Sequence, residues 1–550
     1  ARETAAATPG CPVIGLGASA GGLDAVRRFL GGLPAAPGAA FVVIQHLDPE
    51  HPSHMAELLA PDCPLDVVQA SDGMALAPDR VHVIPPNATL TVEGGVLRVS
   101  PPSERRGLRT PVDQFFASLA ADQQDRAVAI VLSGTGSDGT RGLRRVKEHA
   151  GMVMAEDPDR AEFDGMPRSA IATGAVDFVL PVEQMPETLL GYLRQSARTP
   201  TLPVDGSEAA VIDAILDTLR DETSHDFRFY KRSTVRRRIQ RRMSIAGMPN
   251  IADYARVLRQ QPREMAQLSR DLLVSITEFF REPEAWQALQ DTGLPALIRR
   301  RGATDQLRVW VPGCATGEEA YTVAILLAET LERMGRPPGS FTVFATDVDK
   351  DALNLARTAR YGAEIARSVS AERLERFFDP EGGGYRVKKH LKEQVVFAPQ
   401  DLLQDPPFSN LDLVSCRNLL IYIEPGHQKQ ILSLLHFALR DGGFLFLGSS
   451  ESPGAAARLF RPEVERWRLY RRNDDARRSN LDVFPPVSTT RSARRGPLRA
   501  GGAAARTAGH AEVVQRMLLA RFAPASVLVN AELRALYYHG PLREYLEPAA

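Results

Sequence analysis

The chain has 550 residues, 44% of them hydrophobic and 24% charged, with 67 basic against 67 acidic side chains and no net formal charge. One core does not grow to that length, so about three or four folding units are expected, and the balanced charge excludes a polyanion-binding surface spread over the whole molecule. Cys11, Cys63, Cys314 and Cys416 stand far apart without CxxC spacing, so neither a disulfide framework nor a metal site is signalled. No apolar run approaches the roughly 18–20 residues of a membrane helix, and ARETAAATPG has no apolar signal core. A cytoplasmic protein without membrane insertion is expected.

From Cys11 to Ser196, short apolar runs alternate with helical stretches. PVIGLGAS, AAFVVIQH, RVHVIPP, RAVAIVLSG and GMVMAED each read as a buried strand, the rhythm of an open α/β sheet. A proline-bearing polar stretch over 197–207 marks a linker. Residues 208–288 hold no strand pattern and read as a small helical domain. Its segment YKRSTVRRRIQRRM spaces Val235, Ile239 and Met243 four apart, so one side is core and the others carry arginine. That basic face reads either as a solvated surface or as a docking surface for acidic helices. RNA would be attracted to it too, but no aromatic stacking platform accompanies it.

A second α/β domain is expected over 289–472, with strands in LRVWVPG, FTVFATD, QVVFAPQDLL, LDLVSCRN and FLFLGSS. It carries an insertion over 361–394 that contains the EGGGY turn and the strand-like YRVKKHL. Residues 473–510 have too few large apolar side chains to offset the entropy of ordering and read as a disordered linker. Core-forming residues return over 511–550. The predicted fold is therefore α/β, two doubly wound domains separated by a small helical one.

VIGLGASAGGLDAV is a strand, a glycine turn and a helix start. As G-x-G-x-x-A it fits a dinucleotide fingerprint, but the next strand ends in Gln45-His46, and only Asp48, past that end, offers a ribose ligand. As G-x-S-x-G it lifts Ser19 on an elbow beside helix-start amides able to stabilise an oxyanion. A serine hydroxyl needs a base and an orienter. His46 suits the first role, with His51 and His54 as competitors. Asp138 in LSGTGSDGTRG suits the second. Each residue also has a plain reading, as helix cap, surface histidine or turn aspartate.

GASAGG, QHLDP, LSGTGSDGTRGL and EFDGMPRSAIATGAVDFVL together resemble the catalytic domain of CheB-type protein-glutamate methylesterases over 11–196. The resemblance implies a catalytic Ser19, His46 and Asp138. Ala20 and Thr135-Gly136-Ser137 depart from many relatives, which bears on substrate detail. No receiver domain precedes this segment, so control by aspartyl phosphorylation is not expected.

VWVPGCATGEEAYTVAI is again strand, glycine loop and helix, and FTVFATDVD places Asp347 at the end of the next strand, where an acid suits a ribose diol. Glu318-Glu319 would repel a pyrophosphate and suit a cationic ligand, which favours S-adenosylmethionine over NAD. SITEFFRE, GCATGEEAYT, ATDVD, DLL and CRNLLIYIEP resemble the CheR-type chemoreceptor glutamate O-methyltransferases in order. That resemblance implies S-adenosyl-L-methionine as cofactor, leaving as S-adenosyl-L-homocysteine, and a site of Ser275, Thr277, Arg281, Gly313, Glu318, Asp347, Asp401, Leu402, Asn418 and Leu419. Arg281 and Tyr422 would flank the transferring methyl. Ser275 and Asp401 stand where well-known members have Asn.

The pair of resemblances implies a bifunctional adaptation enzyme, a Rossmann-like class I methyltransferase with an inserted β-subdomain joined to a methylesterase. Its partners would be cytoplasmic domains of methyl-accepting chemoreceptor-like proteins, with downstream sensor or kinase proteins and without nucleic acid. The loop at EGGGY is shorter than in members that grip a receptor's tethering peptide, so no tether is expected. The tail resembles the opening strands of a PAS sensor. A scaffold with inactive sites, or a methyltransferase acting on RNA or a small molecule, are the alternatives.

Overall fold

The computed structural model describes residues 11–19, 21–45, 54–102, 109–198, 206–273, 276–302, 305–474, 526–529 and 535–539. The chain divides into two compact units, the first built from 1–281, 315–318 and 349–389 and the second from 282–314, 319–348 and 390–550.

The first unit opens with strands β1 (Val13–Ala18), β2 (Ala40–Gln45), β3 (Asp66–Gln69), β4 (Arg80–Val83), the hairpin β5 (Thr89–Glu93) and β6 (Val96–Ser100), then β7 (Ala127–Val131), β8 (Met152–Glu156) and β9 (Phe178–Leu180). Seven of them form one sheet in the order β3-β4-β2-β1-β7-β8-β9, parallel throughout. Succession runs one way from β1 to β2 and the other way at β7, so the switch point of this doubly wound sheet lies between β1 and β7. Ile14 and Leu16 enter the core on one face with Val26 and Phe29. The alternate positions are glycines: a Cβ on Gly15 would lie 2.8 Å from Phe116 Cε1, and one on Gly17 2.3 Å from Val112 Cγ1. Those glycines let the Pro111–Gln123 helix pack close on β1.

The helices Gly206–Thr223, Arg232–Ile245, Ile251–Gln260 and Pro262–Leu273 follow. Asn250 caps the third, its side chain accepting from the Ala252 N–H at 2.8 Å. Val235, Ile239 and Met243 are buried as expected, but three of the five arginines between them are buried too. Arg238, Arg241 and Arg242 are 1%, 3% and 8% exposed. Arg241 pairs with Asp177 and Asp271 and donates to the Gly151 carbonyl, Arg238 donates to the Glu148 carbonyl, and Arg242 pairs with Glu264. This corrects the reading of the helix as a docking surface: three of its six arginines are spent inside the fold, Arg236 and Arg237 are half-buried, and the exposed Arg232 pairs with Asp213. A three-stranded sheet of Arg360–Tyr361, Gly384–Val387 and Phe378–Glu381 completes the unit. Its hairpin turns on Gly382 and Gly383, whose φ of 58° and 80° only glycine adopts readily.

The second unit holds a seven-stranded sheet in the order Val395–Pro399, Phe341–Asp347, Leu307–Pro312, Leu411–Cys416, Leu439–Leu447, Leu469–Arg472, Phe460–Val464. The first five are parallel, and Leu469–Arg472 runs against both its neighbours. Its switch point lies between Leu307–Pro312 and Leu411–Cys416. Ser526–Val529 and Ala535–His539 form an antiparallel pair. Among the described residues no helix is long and apolar enough to cross a membrane.

Candidate active sites

Ser19 follows β1 and Asp138 lies in the loop after β7, so both stand at the carboxyl edge of the switch point. Ser19 is 9% exposed, its N–H donates to the Ser133 carbonyl at 3.1 Å, and its own carbonyl accepts from Gly22 N–H at 2.9 Å. Gly21, with φ of 72°, turns the chain into the Gly22–Gly31 helix. A Cβ on Gly134 would fall 2.8 Å from Ser19 Cβ and 2.3 Å from Met166 Sδ, so the loop after β7 approaches the serine as closely as glycine allows. Asp138 is buried, and its carboxylate accepts from Val112, Asp113 and Gly139 N–H groups at 3.0, 3.0 and 2.9 Å. His46, the expected base, lies outside the described residues, as do Ser275, His51 and Asp48.

The sequence did not single out Asp113. Its carboxylate caps the Thr140–Glu148 helix, accepting from Arg141 and Gly142 N–H at 2.8 Å each. Burial and the neighbouring Asp138 charge push its carboxyl up to about 7. Arg367 pulls the other way, with Nη1 3.3 Å from Asp113 and 3.2 Å from the Ser137 carbonyl. A lone aspartate in a helix's first turn carries no sequence signal of this kind; proximity to Asp138 comes from the fold.

In the first unit, Thr277 and Glu318 line one cavity of about 150 Å³ with Thr316, Tyr361, Glu364 and Arg144. Phe279 rests edge-on against Tyr361 and Phe378, at ring distances of 4.8 and 5.5 Å, which seats it on the small sheet. Glu318 is 5% exposed and accepts the Thr316 hydroxyl at 2.6 Å. Burial pushes its carboxyl up, against the lowering pull of Arg144 and Thr316. Arg281 holds Glu148 in a two-pronged pair, Nη1 to Oε1 at 3.2 Å and Nη2 to Oε2 at 3.4 Å.

In the second unit, Gly313 directly follows the Leu307–Pro312 strand with φ of 70°. Gly313 and Cys314 N–H donate to the Thr346 carbonyl at 2.7 and 3.0 Å, bringing the glycine turn beside Asp347 at the end of the adjacent strand. A Cβ on Gly313 would sit 3.2 Å from Leu419 Cδ2. Asn418 has φ of 58°; its N–H and those of Leu420 and Gly448 converge on the buried Glu451 at 2.8, 2.7 and 2.8 Å. Tyr422 closes the Leu420–Tyr422 turn. Asp401 and Leu402 lie past Val395–Pro399, and the Asp401 carboxylate is turned to its own loop, accepting from Leu403 N–H and Gln404 Nε2. Within the second unit, an acid at the end of the second strand and a glycine turn whose Cβ would press on Leu419 suit a nucleoside's ribose; within the first, the buried Glu318 on its cavity suits a cation. Among the described residues no group of three acids, histidines or cysteines could hold a metal.

Residues 14–189 match the CheB methylesterase family, 210–273 the all-alpha domain of CheR methyltransferases, and 275–467 their SAM-binding domain. An uncharacterized 104.1 kDa protein of Rhodobacter capsulatus is 41% identical over 421 residues, 72% of this chain and 44% of that one, so the chain spans less than half of that relative. The chemotaxis protein methyltransferase of Escherichia coli K12 is 34% identical over 242 residues, 42% of this chain and 80% of that one. The catalytic domain of Thermotoga maritima CheB methylesterase, a solved structure, is 31% identical, with coverage of 33% here and 97% there and a TM-score of 0.31. S-adenosyl-L-methionine is thus the cofactor of the second half, and the chain belongs to the CheB methylesterase and CheR methyltransferase families, joined in one polypeptide.

Proposed function

We propose that the protein hydrolyses glutamate γ-methyl esters on chemoreceptor-like proteins with one half and forms them with the other. The observation that carries the first activity is Ser19, buried on a tight elbow at the switch point and packed against the loop that presents Asp138. In this reading Ser19 Oγ attacks the ester carbonyl, His46 takes its proton and returns it to departing methanol, and Asp138 orients the imidazole. Three backbone N–H groups hold the Asp138 carboxylate in place for that role. Glutamine deamidation follows the same acyl chemistry.

For the second activity the acceptor glutamate is already ionised at neutral pH and needs no general base. When bound, S-adenosylmethionine supplies an electrophilic methyl. Thr277, Glu318, Gly313, Asp347, Asn418 and Leu419 would hold it, with Ser275, Asp401 and Leu402 completing the site. Arg281 would receive the acceptor carboxylate through two charge-assisted hydrogen bonds, and Tyr422 would be the other residue acting at the transferring methyl. Alignment and exclusion of water then do most of the work. We propose domain limits of 11–196 and 208–472 for the two enzymes and their helical leader, a PAS-like segment over 511–550, and a cytoplasmic location.

The test is transfer of labelled methyl groups to receptor cytoplasmic fragments, comparing the natural chain with Ser19→Ala. Greater accumulation of label in Ser19→Ala supports both activities on one substrate. Equal accumulation would remove the hydrolase from the reading, and label on RNA or a small molecule instead would move the transferase to another acceptor.

A further inference from the structure

The Thr140–Glu148 helix of the esterase fold has two faces. Leu143 and Val146 are fully buried. Arg141, Arg144, Arg145 and Glu148, spaced as neighbours along the other face, all meet the segment Thr277–Arg281. Arg144 donates to the Thr277 carbonyl at 3.3 Å, and Arg141 and Arg145 reach Glu278 at 3.5 and 3.4 Å. The face ends in its one acid, and that acid meets the segment's one cation. Glu148 and Arg281 side chains are 9% and 15% exposed. Arg145 adds a contact to Glu148 Oε2 at 3.1 Å, and the Glu148 carbonyl is held by Arg238 at 2.8 Å.

We infer that Glu148 is a built-in mimic of the acceptor: a glutamate carboxylate of the esterase fold occupies the seat on Arg281 that a receptor glutamate must take. The inference rests on the reading of Arg281 as the acceptor's anchor. The chemistry matches atom for atom, because Glu148 is the side chain that the proposed reaction methylates, held by the paired N–H donors that recognise it. One guanidinium fork binds one carboxylate in this two-pronged mode. An incoming glutamate must therefore displace Glu148, whose local concentration, fixed by the chain, is on the order of millimolar or more. Methyl transfer is held off while the helix stays docked, and a chain with opposed activities is kept from cycling esters to no effect. A receptor that lifts the helix from Thr277–Arg281 opens the transferase.

The experiment uses the full chain and compares the natural protein with Glu148→Gln, Glu148→Ala and Arg281→Ala. Label transfer to a receptor fragment is measured against fragment concentration, with cofactor affinity by calorimetry and melting temperature alongside. Glu148→Gln keeps the shape and removes the charge, so KM for the fragment should fall about tenfold or more while kcat and cofactor affinity change less than about twofold. A contact that only braces the fold would not lower KM selectively. Unchanged KM in Glu148→Gln and Glu148→Ala, with transfer abolished in Arg281→Ala, overturns the inference and leaves the reading of Arg281 standing. Full transfer by Arg281→Ala overturns that reading, and the inference with it.

Discussion

Replacing Arg241 by Met tests how the helical leader is fastened to the esterase sheet. The side chains of Arg241, Asp177 and Asp271 are 2%, 2% and 4% exposed. Lys147 completes the cluster at 2.7 Å from Asp177 and 3.0 Å from Asp271. Removing one partner of a buried ion pair costs about 3–5 kcal/mol, and the lost hydrogen bond to the Gly151 carbonyl adds about 1 kcal/mol. Lys147 still screens both acids, so a net loss of about 4 kcal/mol is expected. The three tryptophans, 286, 310 and 467, all lie in the second unit, so fluorescence would miss the change. Hydrogen exchange of the peptides over 152–180 and 232–245 should accelerate by about a thousandfold. Burial alone would raise Asp177 and Asp271, but Arg241 and then Lys147 overrule it and hold both below the usual carboxylate range. Depressed acids contribute stability that is present above their unfolded value, near 3.9, and lost as pH falls through the folded one. The stability these two acids lend the natural chain is therefore present above about pH 4 and lost on further acidification, so its margin over Arg241→Met should shrink there. Exchange changed by less than about fivefold, or a margin that acidification leaves unchanged, would refute the account.

Gly134→Ala should cut ester hydrolysis by about a hundredfold or more, because its methyl group would displace Ser19; an active variant would mean that the loop after β7 yields freely. Glu318→Gln should weaken cofactor binding by about tenfold in calorimetry through loss of a buried negative charge facing a cation. Asp113, raised to about 7, contributes stability that is lost as pH rises through that value. The natural chain should therefore gain melting temperature on acidification from pH 8 to 6, and Asp113→Asn should lack that gain. Arg367→Ala removes a cation that lowers Asp113 and should move the same limb to higher pH.

The parts legible in the sequence are those whose signal is local. The expected strands around Ser19, Asp138, Gly313 and Asp347 formed because short apolar runs stopped by a glycine or a polar residue are a local signal. Phe460–Val464 and Leu469–Arg472 carry no strand signal because ARLFRPEVERWRLYRR mixes arginine into every short run. Asp66–Gln69 and Phe178–Leu180 are too short to announce themselves. The Gly94-Gly95 turn between β5 and β6, with φ of 60° and 72°, is a local hairpin signal. The inward turn of Arg238 and Arg241 could not be read at all, since their acceptors at Glu148, Gly151, Asp177 and Asp271 lie 30 to 90 positions away. Distance along the chain hid the Glu148–Arg281 pair in the same way, at a separation of 133 residues.

The Thr140–Glu148 helix is nine residues long, a rod of about 13 Å. Its first turn is capped by Asp113, which also touches the loop of Asp138, and its last residue grips Arg281. Thermodynamic linkage gives this rod a reciprocal duty. If a receptor glutamate on Arg281 releases its far end and changes ester binding near Asp138 by some factor, ester binding must change the glutamate's affinity by that same factor. A methylated receptor at one end and an unmethylated one at the other would then each read the occupancy of the opposite site, with no phosphoryl group as messenger.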